Sequence, residues 1–230
     1  MTKHYEWQYD DSRQVGVDYD SVEEVRKYDE RMQKFRNFEQ ETKDLFVLTQ
    51  PESESIVMEI GTGTGEFAIA FAKQVREVHA LDISKTMLAY AKSKAESRNV
   101  SNIIFRNEGF LSWQDEPETY DIIFTQLALH HLSDFWKSQA LSKIYRALNQ
   151  GGRFFLRDVV FPSDVEDYTT YFNQVIENIG KHTAREMAQH IRQEYSTLDW
   201  IMTGLLEKAG FTITHSEHQN QLIATYLCVK

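Results

Sequence analysis

The sequence predicts an α/β fold, a largely parallel sheet covered by helices on both faces. Three observations carry it. From residue 56 to about residue 160, short apolar runs alternate with stretches of helical period, and strands joined through helices lie parallel. The first apolar run, Ile56-Val57-Met58-Glu59-Ile60, leads into the turn Gly61-Thr62-Gly63-Thr64-Gly65. The next run, Val78-His79-Ala80-Leu81-Asp82-Ile83, carries an acid near its end. Strand, glycine turn, helix and a second strand ending in Asp make half of a nucleotide-binding crevice.

Residues 1–20 are polar and acidic, with Tyr5, Trp7, Tyr9 and Tyr19 but no periodicity. Ser21-Val22-Glu23-Glu24 reads as a capping box. Val22, Val25, Tyr28, Met32, Phe35, Phe38, Thr42 and Leu45 then recur every three or four residues. That spacing predicts one long amphipathic helix ending before Pro51. Strands follow at 56–60, 77–82, 103–105, 120–125 and 153–160, with helices at 65–74, 84–98 and from Ser133 to about Leu148. Asn149-Gln150-Gly151-Gly152 reads as a turn. Residues 162–197 interrupt the alternation. Val165, Tyr168, Phe172, Val175 and Ile179 share one helical face, and Ala184, Ala188, Ile191 and Tyr195 another, so two extra helices joined near Gly180-Lys181-His182 are expected. A helix over 198–209 stops at Gly210. Runs 211–216 and 222–229, joined through Gln219-Asn220-Gln221, read as an antiparallel pair.

The chain has 230 residues, 41% of them hydrophobic, enough for one sizeable core with an appended cap. We divide it into residues 1–55, an N-terminal segment and helix expected to act as a lid, and residues 56–230, a main domain with a helical cap inserted at 162–197. A net charge of −10 opposes binding to a phosphate backbone. The single cysteine, Cys228, excludes an internal disulfide and a multi-cysteine zinc site, and no metal is expected. It lies in an apolar run and reads as a buried thiol. The polar N-terminus has no signal core and no apolar run reaches the length of a membrane span. A cytoplasmic protein acting without nucleic acid or membrane is expected; its oligomeric state is not readable.

The glycine spacing separates ligand classes. A dinucleotide site spaces its glycines G-x-G-x-x-G and aims a helix N-terminus at a pyrophosphate. Here the spacing is G-x-G-x-G, and Glu59 stands two positions before the first glycine. Carboxylates at Glu59 and Asp82 suit a ligand with a cationic amine and a free ribose. No G-x-x-x-x-G-K-[ST] phosphate loop occurs. Glu59 through Gly65 resembles motif I of the class I S-adenosylmethionine (SAM)-dependent methyltransferases. The likeness extends over about 55–229: Asp82, Tyr120-Asp121-Ile122-Ile123, His130-His131-Leu132, Leu148-Asn149-Gln150-Gly151-Gly152 and Ala209-Gly210-Phe211 follow in order. It implies a Rossmann-like seven-stranded sheet with the last strand antiparallel. The chain is most similar in type to the small-molecule methyltransferases of ubiquinone and menaquinone biosynthesis.

That resemblance implies a SAM site. Gly61, Thr62, Gly63 and Gly65 would pass beneath the methionine part, with Glu59 positioning the turn and its ammonium contacts. Asp82 would bind the ribose hydroxyls and Ile83 would pack on the adenine. Glu108, Gly109 and Phe110 follow the third strand, where the family contacts the adenine. Many members carry Asp there, whereas this chain has Glu108 and then Gly109, and Phe110 supplies either an apolar wall or core packing. Gln126 would line the cofactor or acceptor side.

Methyl transfer requires the protein to align two reactants and exclude water, and orientation alone supplies roughly 7–11 kcal/mol. A base is needed only when the nucleophile must lose a proton. His130, His131 and Asp158 are the candidates at the carboxyl ends of the fourth and fifth strands; paired histidines here also serve as helix-entry and pocket residues. Arg157, on the opposite face of its strand from Asp158, suits either an anionic acceptor or an ion pair. Gln126-Leu127-Ala128-Leu129 stands where family members that methylate nucleic acids or protein glutamine carry Asn/Asp-Pro-Pro-aromatic. Tyr28, Tyr168, Tyr171 and Phe172 join the N-terminal aromatics in the segments that would roof the site, which suggests a small, partly apolar acceptor. Two other readings stay open at this level: a SAM-binding module without catalysis, and an NAD-binding oxidoreductase.

Overall fold

The computed structural model describes residues 7, 9–11, 21–32, 36–114, 117–178, 181–219 and 222–230. Tyr5, Tyr19, Phe35, the Gly180 joint and the Asn220-Gln221 turn lie outside the described residues.

β1 (Ile56–Ile60), α3 (Glu66–Ala72), β2 (Glu77–Leu81), α4 (Lys85–Ser97) and β3 (Ile103–Arg106) build one half of the sheet. β4 (Tyr120–Gln126), α5 (Asp134–Ala147) and β5 (Leu148–Phe161) begin the other. A single 3₁₀ turn, Leu129–His131, follows β4. The chain closes with α8 (Asp199–Ala209), β7 (Thr212–Gln219) and β8 (Ile223–Val229). The strand order is β3-β2-β1-β4-β5-β8-β7, with β8 antiparallel to both its neighbours. This is the Rossmann-like sheet expected, with a two-residue strand, β6 (Thr197–Leu198), added beside β5. The order reverses between β1 and β4, so a crevice opens beyond their carboxyl ends.

Alternation along β5 shows how the sheet is covered. Phe154 and Leu156 join one apolar cluster with Leu141 and Ile144 of α5 and Met202 and Leu206 of α8. Phe155, one residue out of phase, joins another with Phe67 and Phe71 of α3 and Leu45, which lies on α2 (Phe38–Thr49). Period-two side chains on a sheet buried on both faces require this. Cys228 is buried in the first cluster, where burial pushes its thiol up to about 12.

Two boundaries differ from the sequence expectation. The single N-terminal helix is two, α1 (Val22–Met32) and α2. Asn37 has non-helical φ −103° and its side chain accepts from the Gln40 N–H, so it starts a new helix. The apolar period runs through the break because α1 packs on α4 while α2 packs on α3 and β5. The second difference is at β5, which begins at Leu148 and not at 153. Leu148 pairs with Tyr120 and Arg153 with Ile122, so Asn149–Gly152 form an irregularity within the strand. Asn149 Nδ2 donates to Asp121 Oδ1 at 2.7 Å there.

The insertion folds as the two expected helices, α6 (Tyr168–Asn178) and α7 (Lys181–Gln193). Val175, Tyr171, Phe172, Met187 and Ile191 pack on Val159, Phe161 and Leu222, at the end of β5 and the start of β8. Asn37→Ala should lower stability by about 1 kcal/mol through loss of the α2 cap. A urea unfolding curve superposing on wild type would show that α2 does not depend on Asn37.

Candidate functional site

The turn after β1 and the turn after β2 are joined by one carboxylate. Asp82 Oδ2 accepts from the Gly63 N–H at 2.7 Å, and Asp82 Oδ1 accepts from the Ser84 N–H at 2.8 Å. The amides of Gly61 and Thr62 donate to Leu81 O at 2.8 and 2.9 Å. The glycines of the turn serve different ends. A Cβ at Gly61 would lie 2.6 Å from Ala128 Cβ, and one at Gly65 2.9 Å from Ala91 Cβ, so close packing fixes both. Gly63 has φ +53°, and a Cβ there would meet nothing within 4 Å. It faces the cavity, where Asp82, Ile83, Gly109, Phe110 and Gln126 gather beside it.

Glu59 lies beneath the turn, 2% exposed. Its Oε2 accepts from Thr62 Oγ1 at 2.7 Å. Burial pushes its carboxyl up to about 8, against the lowering pull of the Thr62 hydroxyl and the Ala68 N–H. Helix α1 reaches the same turn from above: Thr64 Oγ1 donates to Asp29 Oδ1 at 2.5 Å, and Asp29 also pairs with Lys94 of α4.

Tyr9, Asp11 and Tyr28 line the cavity, and no described residue of 162–197 does. Asp11 was not anticipated. Its Oδ2 accepts from the Leu111 N–H at 2.6 Å, and a Cβ at Gly109 would lie 2.6 Å from that oxygen. Gly109 therefore admits a carboxylate from a hundred residues away into the loop after β3. Glu108 lines the cavity but also pairs with Arg106 at 2.8 Å. Trp7 and Tyr9 stack near Trp136, which tethers the N-terminal segment to α5.

Gln126 is 7% exposed, and its buried Nε2 has no hydrogen-bond partner among the described residues. Its Oε1 lies 3.5 Å from Arg36 Nη2. Arg157 pairs with Glu41 at 2.6 Å, and Arg36 also pairs with Glu41 at 2.5 Å, so Arg157 takes the structural of its two expected roles.

The three candidate bases divide between two places. His131 lines the cavity, and its buried Nδ1 has no partner among the described residues. Burial, reinforced by neighbouring His130, pushes its imidazole down to about 4. His130 and Asp158 do not line that cavity. His130 Nδ1 bonds to Asp158 Oδ1, and its Nε2 lies 3.1 Å from Glu194 Oε2. Burial alone would lower the His130 imidazole, but the Asp158 and Glu194 carboxylates outweigh it and carry it up to about 9. Burial opposes ionisation of Asp158 and Glu194, yet the imidazoles beside them hold both below the usual carboxylate range. The 3₁₀ turn sends adjacent histidines different ways, one into the core and one into the cavity.

Residues 57–152 match the methyltransferase domain family. An uncharacterized methyltransferase of Bacillus cytotoxicus is 32% identical over 158 residues, 69% of this chain and 70% of that protein. One from a Geobacillus species is 27% identical over 194 residues, 84% of this chain and 85% of that one. Among solved structures, a SAM-dependent methyltransferase from Aquifex aeolicus has a TM-score of 0.65 at 18% identity, covering 91% of this chain and 98% of that one. YcgJ of Bacillus subtilis has a TM-score of 0.64 at 19% identity, covering 82% of this chain and 97% of that one; at such identity these two show the fold. Among the described residues no helix is long and apolar enough to cross a membrane. The chain belongs to the methyltransferases, and its fold is that of solved SAM-dependent ones.

Proposed function

We propose that the cavity beyond β1, β2 and β4 holds SAM between the Gly63 turn and Asp11, and that the protein passes its methyl group to a small-molecule acceptor beside His131 and Gln126. The observation that carries this is the junction of Gly63 and Asp82: an open glycine facing the cavity, beside a carboxylate fixed by two backbone amides.

The residues fit the cofactor. Asp82 is held by the Gly63 and Ser84 amides beside the open glycine, and an acid at the end of the second strand is the group that binds ribose hydroxyls in such crevices. Ile83, Met87 and Phe110 give apolar walls for a base. Asp11, whose carboxylate enters the loop after β3 beside Gly109, is the acid within reach of an adenine amino group. Glu59 holds the turn through Thr62 and, once ionised, supplies counter-charge to an ammonium. Bound there, SAM supplies an electrophilic methyl on a sulfonium whose departure as a neutral sulfide needs no proton.

The chain's task is then alignment and exclusion of water. Gln126 Nε2, a buried donor without a partner among the described residues, orients the acceptor or the cofactor carboxylate. His131 Nδ1 accepts a hydrogen bond from the acceptor and takes its proton where the nucleophile carries one. Residues 1–55 act as the lid through Tyr9, Asp11 and Tyr28; residues 56–230 form the catalytic domain, and the cap at 162–197 braces the far end of β5. A cavity walled by Tyr9, Leu127, Ala128 and Leu132 suits a small, partly apolar acceptor, in keeping with the quinone-biosynthesis type. The charge of −10 disfavours nucleic acid.

Three outcomes are expected. Asp82→Ala should weaken SAM binding by about 1.5–3 kcal/mol and Asp11→Ala by about 1 kcal/mol in calorimetry; normal affinity in both removes the assignment. His131→Ala should cut methylation of metabolites in a cell-extract fraction by roughly 10²–10⁴ with SAM affinity kept. Full turnover would show that His131 takes no proton, and efficient methylation of tRNA, DNA or intact protein with none of metabolites would contradict the acceptor class.

The third outcome concerns pH. The folded carboxyl of Glu59 titrates near 8 against 4.5 for a free glutamate, so its contribution to stability is intact below about 4.5 and is lost as pH rises towards 8. Unfolding of the ligand-free protein should therefore become easier across that window by up to about 1.4 kcal/mol per pH unit relative to Glu59→Gln. Parallel stability profiles for the two proteins would mean that Glu59 is ionised throughout.

A further inference from the structure

We propose that His130, His190 and Glu194 form a binding site for one divalent transition-metal ion of the zinc class, which ties cap helix α7 to the turn after β4. The site is separate from the cavity: none of the three residues lines it.

The ligand atoms converge. Glu194 Oε2 lies 3.1 Å from His130 Nε2 and also contacts His190 Nδ1. All three ligand atoms lie within 4.8 Å of one another. Ligands about 2.0–2.1 Å from a tetrahedral zinc sit a little over 3 Å apart, so this spacing suits an ion among them. His190 and Glu194 are four residues apart, at the end of α7 and just beyond it, and the Glu194 N–H donates to His190 O at 2.9 Å, which keeps both on one helical face.

The outer nitrogens of both imidazoles are occupied. His130 Nδ1 bonds to Asp158 Oδ1, and Asp158 is fixed by the His130 and Val159 amides at 2.8 and 2.9 Å. His190 Nε2 lies 2.7 Å from Ser196 Oγ. Holding the far nitrogen of each ring is how proteins orient histidine ligands towards a metal. Asp158 and Glu194 supply two negative charges, the balance a divalent ion requires. Two imidazoles and one carboxylate select zinc, cobalt or nickel over magnesium or calcium, which prefer oxygen. A fourth position remains for water.

The geometry also gives the ion a task. His130 follows β4, whereas His190 and Glu194 belong to the cap, and the Tyr195 N–H donates to His130 O at 2.9 Å. A metal here would clamp the inserted helices onto the sheet beside His131.

The test uses untagged full-length protein, stripped with chelator and titrated with Co²⁺ and then Zn²⁺. The wild type should bind one ion per chain at micromolar concentration, show visible cobalt absorption of a four-coordinate site, lose it to Zn²⁺, and melt at higher temperature. His190→Ala and Glu194→Ala should each weaken binding at least about tenfold while SAM affinity is kept. His218→Ala, on β7, should bind as wild type. Absence of a stoichiometric ion in the wild type overturns the proposal without recourse to any variant. So does binding that survives both His190→Ala and Glu194→Ala.

Discussion

The site depends on the two hydrogen bonds that Asp82 accepts from Gly63 and Ser84. They join the turn after β1 to the N-cap of α4, and the parallel register of β1 and β2, with Ile60 opposite Leu81, sets their distance. A buried or half-buried backbone amide left without a partner is costly, so the carboxylate is held in place whether or not ligand is present. On the proposed assignment, the same atoms that stabilise the two turns present a preorganised acceptor to a ribose. Thr64 and Asp29 extend the arrangement to α1, and Asp11 extends it to the N-terminal segment.

Buried charge divides the rest of the molecule into two regimes. At Glu59 burial outweighs the lowering pull of Thr62, Ala68 and Arg36 and favours the neutral form. His130, Asp158 and Glu194 compensate one another, and there the charged forms prevail. Such groups contribute little net stability for their desolvation, but they tie the end of α7 to the turn after β4. The position of the cap therefore rests on polar pairing as well as on its apolar contacts with Phe161 and Leu222.

The glycine turn, Asp82 and the alternating strands were legible because each is a local pattern with a local physical reason. The break between α1 and α2 was not, although Asn37 is a good capping residue, because the apolar period continues across it towards two different packing partners. The irregular start of β5 was read as a turn, since Gly151-Gly152 signals one and pairing with Tyr120 is a long-range fact. Asp11 was hidden for the same reason: nothing near it in sequence shows that Gly109 leaves room for it. The pair His130-His131 marks the limit most sharply. Sequence placed both beside the site, and only the 3₁₀ turn decides that one ring is enclosed by carboxylates and the other lines the cavity.

The most direct test of the account is a crystal structure of the protein soaked or co-crystallised with S-adenosylhomocysteine. The account predicts the ribose against Asp82, the backbone of Gly63 against the ligand with no displacement of the turn, and the adenine between Ile83 and the Asp11 carboxylate. Ligand bound elsewhere, or Asp82 facing away from the ribose with Gly63 uncovered, would contradict it.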